Sequence, residues 1–124
     1  MTNVCFYFQV HQPYRMRNYP VFDVGNNHNY FDDKKNRDIL NKVASKCYLP
    51  ANKVMLDLIH KFDGKFKISY SLSGVLLDQL EEYNPKVMES FIDLAETGCV
   101  EMLDETHYHS SICVVRLFRT LRVG

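Results

Sequence analysis

The order of hydrophobic patterns along the chain constrains its fold more than any other feature. Strand-like patterns occur near residues 4–10, 66–71 and 99–103. Amphipathic helical patterns lie between them, around residues 38–47, 51–62 and 86–97, with a shorter helix after Ser73. Because strands that alternate with helices pair in parallel through right-handed crossovers, the predicted fold class is α/β with a parallel sheet.

The helix around residues 51–62 has the clearest pattern. Its apolar residues recur at helical spacing, and they are Ala51, Val54, Met55, Leu58, Ile59 and Phe62. Pro50 suits a first helical turn and Gly64 a C-terminal stop. Ser73 and Asn84 suit the N-caps of the later helices, and Gly98 suits the end of the last one.

The first strand pattern, VCFYFQV, is nearly continuous in apolar and aromatic residues, which predicts a strand buried on both faces. A long loop without periodicity follows, from His11 to Asn36, and Pro13 ends the pairing of the strand. Loops of this length within a compact domain usually serve a function.

Composition indicates an ordinary globular domain. The chain has 124 residues, 46% of them hydrophobic and 24% charged, which is enough for one compact core. The formal net charge is zero, so no global field favours nucleic acid or an anionic membrane, and neither is an expected partner. No apolar run is long enough for a membrane span and no signal peptide is evident, so we predict a cytoplasmic protein.

The four cysteines, Cys5, Cys47, Cys99 and Cys113, contain no CxxC pair. We interpret them as free buried thiols, with a disulfide or a zinc set as the alternative. No GxGxxG, P-loop, GxSxG or zinc-knuckle pattern occurs, and we predict no cofactor.

Residues 111–124 differ in character from the rest of the chain. They contain Arg116, Arg119 and Arg122 and no acidic residue. Three interpretations stay open: a basic amphipathic helix that binds a membrane or a partner, an ordinary terminal helix, or a truncated or frame-shifted end. We therefore divide the chain into residues 1–110 and a divergent basic tail, 111–124.

Polar side chains follow the predicted strands where the edge of a parallel α/β sheet binds ligands. His11 and Gln12 follow the first strand, and the third supplies Glu101, Asp104, Glu105, His107 and His109. His11 could equally be a surface or core histidine. Glu101 lies between Val100 and Met102 in a strand expected to be buried, so it should be paired structurally or bind a ligand.

Several stretches closely resemble the N-terminal part of glycoside hydrolase family 57. They are FYFQVHQPYR, YPVFD, YLPANKVMLDLI, FKISYSLSGVLLDQLEEY and LAETGCVEMLDETHYHS, which together run from about Val4 to Ser110. The His-Gln-Pro triplet is similar to the first signature of the family, and Gly98-Cys99-Val100-Glu101 to the second. The most similar members are microbial α-amylases and 4-α-glucanotransferases.

The resemblance implies an incomplete (β/α)7 barrel that cleaves or transfers α-glucans such as starch, glycogen or maltooligosaccharides with retention. His11 and Glu101 match signature residues expected to bind the sugar, and Gln12 and Pro13 match the rest of the triplet. We thus expect His11, Gln12 and Glu101 to bind substrate, with Tyr14 and Tyr108 completing half a cleft.

The catalytic nucleophile and acid/base of the family lie in later signatures, so the resemblance implies no catalytic residue in this chain. We expect the chain to be inactive alone, because retention requires two carboxyl groups about 5 Å apart. A non-catalytic sugar-binding remnant is the alternative. A metal-dependent polysaccharide hydrolase or deacetylase that uses His11, His107 and His109 is a further one, although we predict no metal site.

Overall fold

The computed structural model describes residues 2–103 and 105–108 of the chain. These residues form a three-stranded parallel sheet with strands β1 (Tyr7–Val10), β2 (Ile68–Leu72) and β3 (Val100–Leu103). β2 lies in the centre and pairs in parallel with both neighbours. The prediction of a parallel α/β sheet is confirmed, whereas the predictions for the tail and for Asp104 and His109 lie outside the described residues.

Four α-helices connect and cover the strands: α1 (Asp33–Val43), α2 (Leu49–Lys61), α3 (Gly74–Tyr83) and α4 (Pro85–Glu96). α1 begins earlier than the periodicity predicts because the Asp32 carboxylate accepts a hydrogen bond from the Lys35 amide at 3.0 Å. A π-helical turn, Ala44–Tyr48, joins α1 to α2. Pro50 has no N–H to donate to the preceding turn, and the widened turn lets the helical path continue past it.

The predicted helix ends are confirmed, with one difference in mechanism. The Ser73 side chain caps α3 by accepting from the Leu76 amide. Asn84 occupies the N-cap of α4, but its side chain donates to Asn41 Oδ1 at 2.8 Å instead of capping the helix. Gly64 and Gly98 follow α2 and α4 with φ of 73° and 71°, a conformation that glycine adopts without strain.

The core lies between the helices and one face of the sheet. That face carries the even-numbered strand residues, namely Phe8, Val10, Ile68, Tyr70, Leu72, Val100 and Met102. Tyr70 is central to it, since its ring centroid lies 5.4 Å from that of Phe8 and 5.8 Å from that of Phe91. None of the described helices combines the length and the apolar character that a bilayer crossing requires.

The prediction that the first strand is buried on both faces is wrong for β1. β1 is an edge strand of the described sheet, and its residues alternate between exposed and half-buried. Val4 is 74% exposed and Tyr7 52% exposed. The continuous apolar pattern predicts that both faces of the strand are covered, but the helices cover only one of them in this structure.

The cysteine interpretation is confirmed in part. Cys5, Cys47 and Cys99 are free thiols, but Cys5 and Cys47 are exposed and Cys99 is only half-buried. Their burial was therefore predicted wrongly, because apolar neighbours in sequence do not fix the direction of a side chain. Cys113 lies outside the described residues.

The long loop after β1 is held at its base by α1. Asn36 is fully buried, and its side chain accepts from the Arg15 amide at 2.8 Å and donates to the Arg15 carbonyl at 3.2 Å. An isolated antiparallel bridge, Met16 to Phe31, closes the excursion, which contains a short 3-10 turn, Val21–Asp23. The contacts of Asn36 therefore hold the start of the loop at Arg15 against α1.

Candidate functional site

The second face of the sheet is polar and does not pack against the helices. The strand register places Tyr7, Ser69 and Glu101 in one row across the sheet. Side chains alternate along a strand, so the odd-numbered residues of all three strands share this face. We call it the polar face.

Three serines of the central strand and its end each contact one chemically active side chain. Ser69 Oγ donates to Glu101 Oε2 at 3.4 Å, and Ser71 Oγ donates to Glu105 Oε2 at 2.7 Å. Ser73 Oγ lies 2.6 Å from His11 Nδ1. Successive serines are two residues apart, about 7 Å along an extended chain. Glu101 shares a row with Ser69 and Tyr7 near the start of the strands, whereas His11 and Ser73 follow the carboxyl ends of β1 and β2.

Glu101 is exposed, contrary to the expectation of a buried carboxylate. β3 is the other edge of the described sheet, and its odd-numbered residues point away from the helices. A depression of about 270 Å³ lies against Ser69 and Glu101 and extends over Cys5, Lys67 and Gly98, at the end of the sheet where the strands begin. The carboxylate is thus available to a ligand and does not need a structural counter-charge.

Glu105, which sequence reasoning did not select as a binding residue, joins the same face. Its Oε1 accepts from Gln9 Nε2 at 2.9 Å, while its Oε2 accepts from Ser71. The available signal was the alternation of serine in ISYSLSG, because small hydroxyl residues on one face of a strand favour polar neighbours. Gln9 and the three serines were also not predicted as site residues, because this alternation was not used as a signal.

Gln12 is directed away from the serines. Its Oε1 accepts from Arg15 Nη2 at 3.4 Å, and its carbonyl accepts from Gln79 Nε2 at 2.6 Å. Its side chain also hydrogen-bonds Tyr48; burial raises the pKa of that phenol, and the bond to Gln12 opposes the rise. In these contacts Gln12 fixes the start of the loop, while its substrate-binding role stays a prediction.

The segment after β3 crosses the start of α3. The Val75 amide donates to the His107 carbonyl at 2.9 Å, and His107 Nε2 lies 3.3 Å from Asp78 Oδ2. Gly74 permits this path, since a Cβ there would lie 2.9 Å from the Cα of His107. His11 and His107 consequently contact neighbouring residues, Ser73 and Gly74.

Within the described part of the chain, no three His, Cys, Asp or Glu side chains are grouped closely enough to hold a metal ion. His109, the third histidine of the metal alternative, lies outside that part. His11 instead contacts a serine, and His107 an aspartate.

The two tyrosines proposed for the cleft differ in their surroundings. Tyr14 packs against Phe31, with ring centroids 4.9 Å apart, and burial raises its pKa, with a further contribution from the negative charge of Asp78. Tyr108 is 78% exposed and meets His107 edge to face. Tyr14 is therefore fixed in place, whereas Tyr108 presents its ring to solvent.

The chemistry of the polar face suits a neutral, hydroxyl-rich ligand. Carboxylates accept hydrogen bonds from hydroxyl groups, and an imidazole can donate or accept. Hydrogen bonds to a charged acceptor are roughly twice as strong as neutral ones. A sugar offers many such hydroxyls.

Comparison with known proteins identifies the family of the chain. The sequence model of glycosyl hydrolase family 57 matches residues 5–117, nearly the whole chain. The chain belongs to glycosyl hydrolase family 57. It is also 43% identical over 119 residues to a Methanocaldococcus jannaschii protein named "Putative alpha-amylase". No solved structure gives a significant match.

The family 57 chain is short compared with this relative. The alignment covers 94% of the chain but 24% of the M. jannaschii protein. His11 and Glu101, the residues predicted from the sequence to bind sugar, contact Ser73 and Ser69 respectively, and their role in binding stays a prediction.

Proposed function

We propose that this chain supplies the sugar-binding part of an active site that acts on α-glucans, in an α-amylase or 4-α-glucanotransferase of the retaining type. The observation that best supports the proposal is that His11 and Glu101 each contact a serine of one segment, Ser73 just after β2 and Ser69 within it. Family membership indicates a glycoside hydrolase lineage, and the name of the relative indicates the α-linkage.

In this proposal residues 1–110 are the N-terminal part of an incomplete (β/α)7 barrel, and the polar face lines its interior. Two features support it. The helices cover one face of the parallel sheet, as they do on the outside of such barrels, and the opposite face carries the polar groups. Both β1 and β3 are edges of the described sheet, where further strands can pair.

We further propose that the chain alone binds α-glucan weakly without cleaving it, in a cytoplasmic setting. Retaining cleavage needs a nucleophile that forms a glycosyl-enzyme intermediate and an acid that protonates the leaving group. His11 and Glu101 are assigned to binding, and binding that does not distinguish the transition state from the ground state leaves the barrier unchanged.

Incubation of the purified chain with maltoheptaose tests this function. Reducing ends and product chain lengths are followed over time, with a glucan-free incubation as the control. We expect no turnover but saturable binding. Turnover that disappears in a Glu105→Gln variant would place a catalytic group in this chain and contradict the assignment of roles.

A further inference from the structure

We propose that the tip of the long loop after β1, residues 20–27, is a second glucan-binding surface, on which the ring of Phe22 packs against a glucosyl unit of a bound chain. We call these residues the loop tip. This inference rests on the proposed function and adds a contact outside the polar face. Phe22 lies in neither of the two family signatures and was not predicted as a site residue.

The loop tip presents apolar side chains to solvent. Phe22 is 89% exposed, Val21 83% and Val24 66%. Single exposed apolar residues are normal on a protein surface, whereas a group of them indicates an interaction site. Compact loops usually pack such side chains inward, so their exposure on one short turn indicates that a ligand covers them.

Polar contacts maintain the shape of the turn without the apolar side chains. The Asp23 carboxylate pairs with Arg17 Nη2 at 2.6 Å, and the Asp23 carbonyl accepts from the Tyr19 hydroxyl at 2.7 Å. The same carbonyl accepts from the backbone amides of Asn26 and Asn27, each at 3.0 Å. The conformation of the turn therefore does not depend on the ring of Phe22, and the ring is available to a ligand.

The chemistry of the loop tip favours a neutral ligand. Among residues 17–27 only Arg17 and Asp23 are charged, and they neutralise each other. The exposed side chains around Phe22 include those of Asn26 and Asn27, whose uncharged amides both donate and accept hydrogen bonds. An apolar ring beside uncharged amides suits a sugar, which has apolar C–H faces and polar hydroxyl edges. A nucleic acid or an anionic membrane would instead require unpaired positive charge.

The loop tip extends from the edge of the sheet that carries His11. The loop follows β1 directly, and its two arms are joined by the bond from the Arg17 amide to the Tyr30 carbonyl at 3.0 Å. Phe22 lies five residues beyond Arg17, so the two backbones are at most about 18 Å apart. An oligosaccharide of several units can span this distance, and a contact at the loop tip should therefore favour long glucans over short ones.

Replacement of Phe22 by tryptophan tests the contact directly, because the chain contains no tryptophan of its own. Emission of the Phe22→Trp variant is followed during titration with maltoheptaose, and calorimetry gives the dissociation constant of the same variant. We expect the emission to shift to shorter wavelength and to saturate at that constant, because a ring that packs against sugar is removed from water. Phe62→Trp, at a position that is 49% exposed after α2, is the matched control, and its emission should not change.

Phe22→Ala should weaken maltoheptaose binding by about three- to tenfold, the range expected for the loss of one aromatic contact. The loss should be smaller for maltose, which is too short to span the loop. Phe22→Tyr keeps the ring and should retain the wild-type affinity. All these variants should unfold at temperatures close to that of the wild type, because the ring is exposed in the unbound chain.

Saturable binding in calorimetry without an emission change in Phe22→Trp, or wild-type affinity for maltoheptaose in Phe22→Ala, would overturn the role of the loop tip and leave the proposed function in place. Unchanged affinity together with weaker self-association of Phe22→Ala in sedimentation velocity would overturn it in favour of a protein contact. No saturable binding of maltoheptaose by the wild type would overturn the proposed function itself, and this inference with it.

Discussion

A missing Cβ at Gly74 allows the chain after β3 to cross the first turn of α3. The His107 backbone lies so close that an added Cβ would approach its Cα to 2.9 Å. The crossing matters for the site, because it brings Glu105 back over the sheet to Ser71. One residue without a side chain therefore determines where a carboxylate lies.

We expect Gly74→Ala to lower the free energy of unfolding by about 1–3 kcal/mol, the usual cost of overpacking. The direction of the change distinguishes overpacking from helix propensity, because replacing a helical glycine with alanine ordinarily raises the free energy of unfolding by about 1 kcal/mol. Urea denaturation provides the measurement. His107→Ala is the control: it removes the half-exposed contact with Asp78 and the edge-to-face contact with Tyr108, and it should cost less than about 1 kcal/mol. A Gly74→Ala variant as stable as the wild type would contradict the close crossing.

Some residues of the polar face could be predicted from the sequence, and others could not. His11 and Glu101 could be found because they sit in motifs at the ends of strands. Glu105 could be identified as a polar residue after the third strand, but its contacts could not be predicted, because they depend on a register of Gln9 with Ser71 that only the folded sheet defines. The exposure of Glu101 also depends on which face of β3 the helices cover.

At the scale of elements, a buried amide side chain joins the loop between β1 and α1 to the helix layer, beside the backbone bonds that close the loop. Asn36 presents its acceptor and its donor to the two backbone groups of Arg15, much as a neighbouring strand would. The next pairing, from the Arg17 amide to the Tyr30 carbonyl at 3.0 Å, continues the same closure. The loop is therefore attached to the helix layer as well as to the sheet.

Asn36→Ala should lower the free energy of unfolding by about 1–3 kcal/mol, because it leaves the Arg15 amide without its partner, while the Arg15 carbonyl keeps the bond from the Asp32 amide at 2.9 Å. Hydrogen exchange should also show faster exchange of the Arg17 amide, whose bond depends on the closure. Asn18→Ala, at an exposed position of the same loop, should change neither quantity. Unchanged exchange at Arg17 in Asn36→Ala would show that the loop is closed by other contacts.

Helices and strands were predicted well where a local signal exists. Periodicity and glycine stops located α2 and α4, and Ser73 located the start of α3. The junction before α2 was not predicted, because Pro50 ordinarily opens a helix and here follows a π-helical turn. The closure of the long loop depends on Asn36, and nothing in the local pattern marks that contact.

At the scale of the whole molecule, the edge of the sheet at β1 exposes apolar residues, which include Val4, Phe6 and Tyr7. Exposed strand edges with apolar side chains favour association. We expect the isolated chain to self-associate, and Val4→Lys to reduce this, as measured by sedimentation velocity. Val54→Lys, which replaces a valine that is 53% exposed on α2, is the matched control and should have little effect. Equal effects of the two substitutions would contradict association through the sheet edge.

The aromatic core predicts a loss of stability at alkaline pH. Burial raises the pKa of Tyr48 and of Tyr70 above 10.0. The unfolded chain therefore loses these phenolic protons first, so their contribution to stability is complete below pH 10.0 and is lost as pH rises through the higher folded values.

Urea denaturation at about pH 9 and about pH 11 should show a lower free energy of unfolding at the higher pH. Tyr70→Phe should reduce the difference between the two values, since it removes one of the buried phenols. Tyr7→Phe, at an exposed position, should keep the wild-type difference. A Tyr70→Phe variant with the wild-type difference would show that Tyr70 does not contribute to the pH dependence.

The central claim is that the polar face binds an α-glucan, and mapping of amide chemical shifts during titration with maltoheptaose tests it most directly. The account predicts saturable shifts concentrated in the polar face and its contacts, namely Tyr7, Gln9, His11, Ser69, Ser71, Ser73, Glu101 and Glu105. Cellohexaose should produce much smaller shifts. Shifts concentrated on the helices instead, or the absence of any shift at saturating maltoheptaose, would contradict the claim.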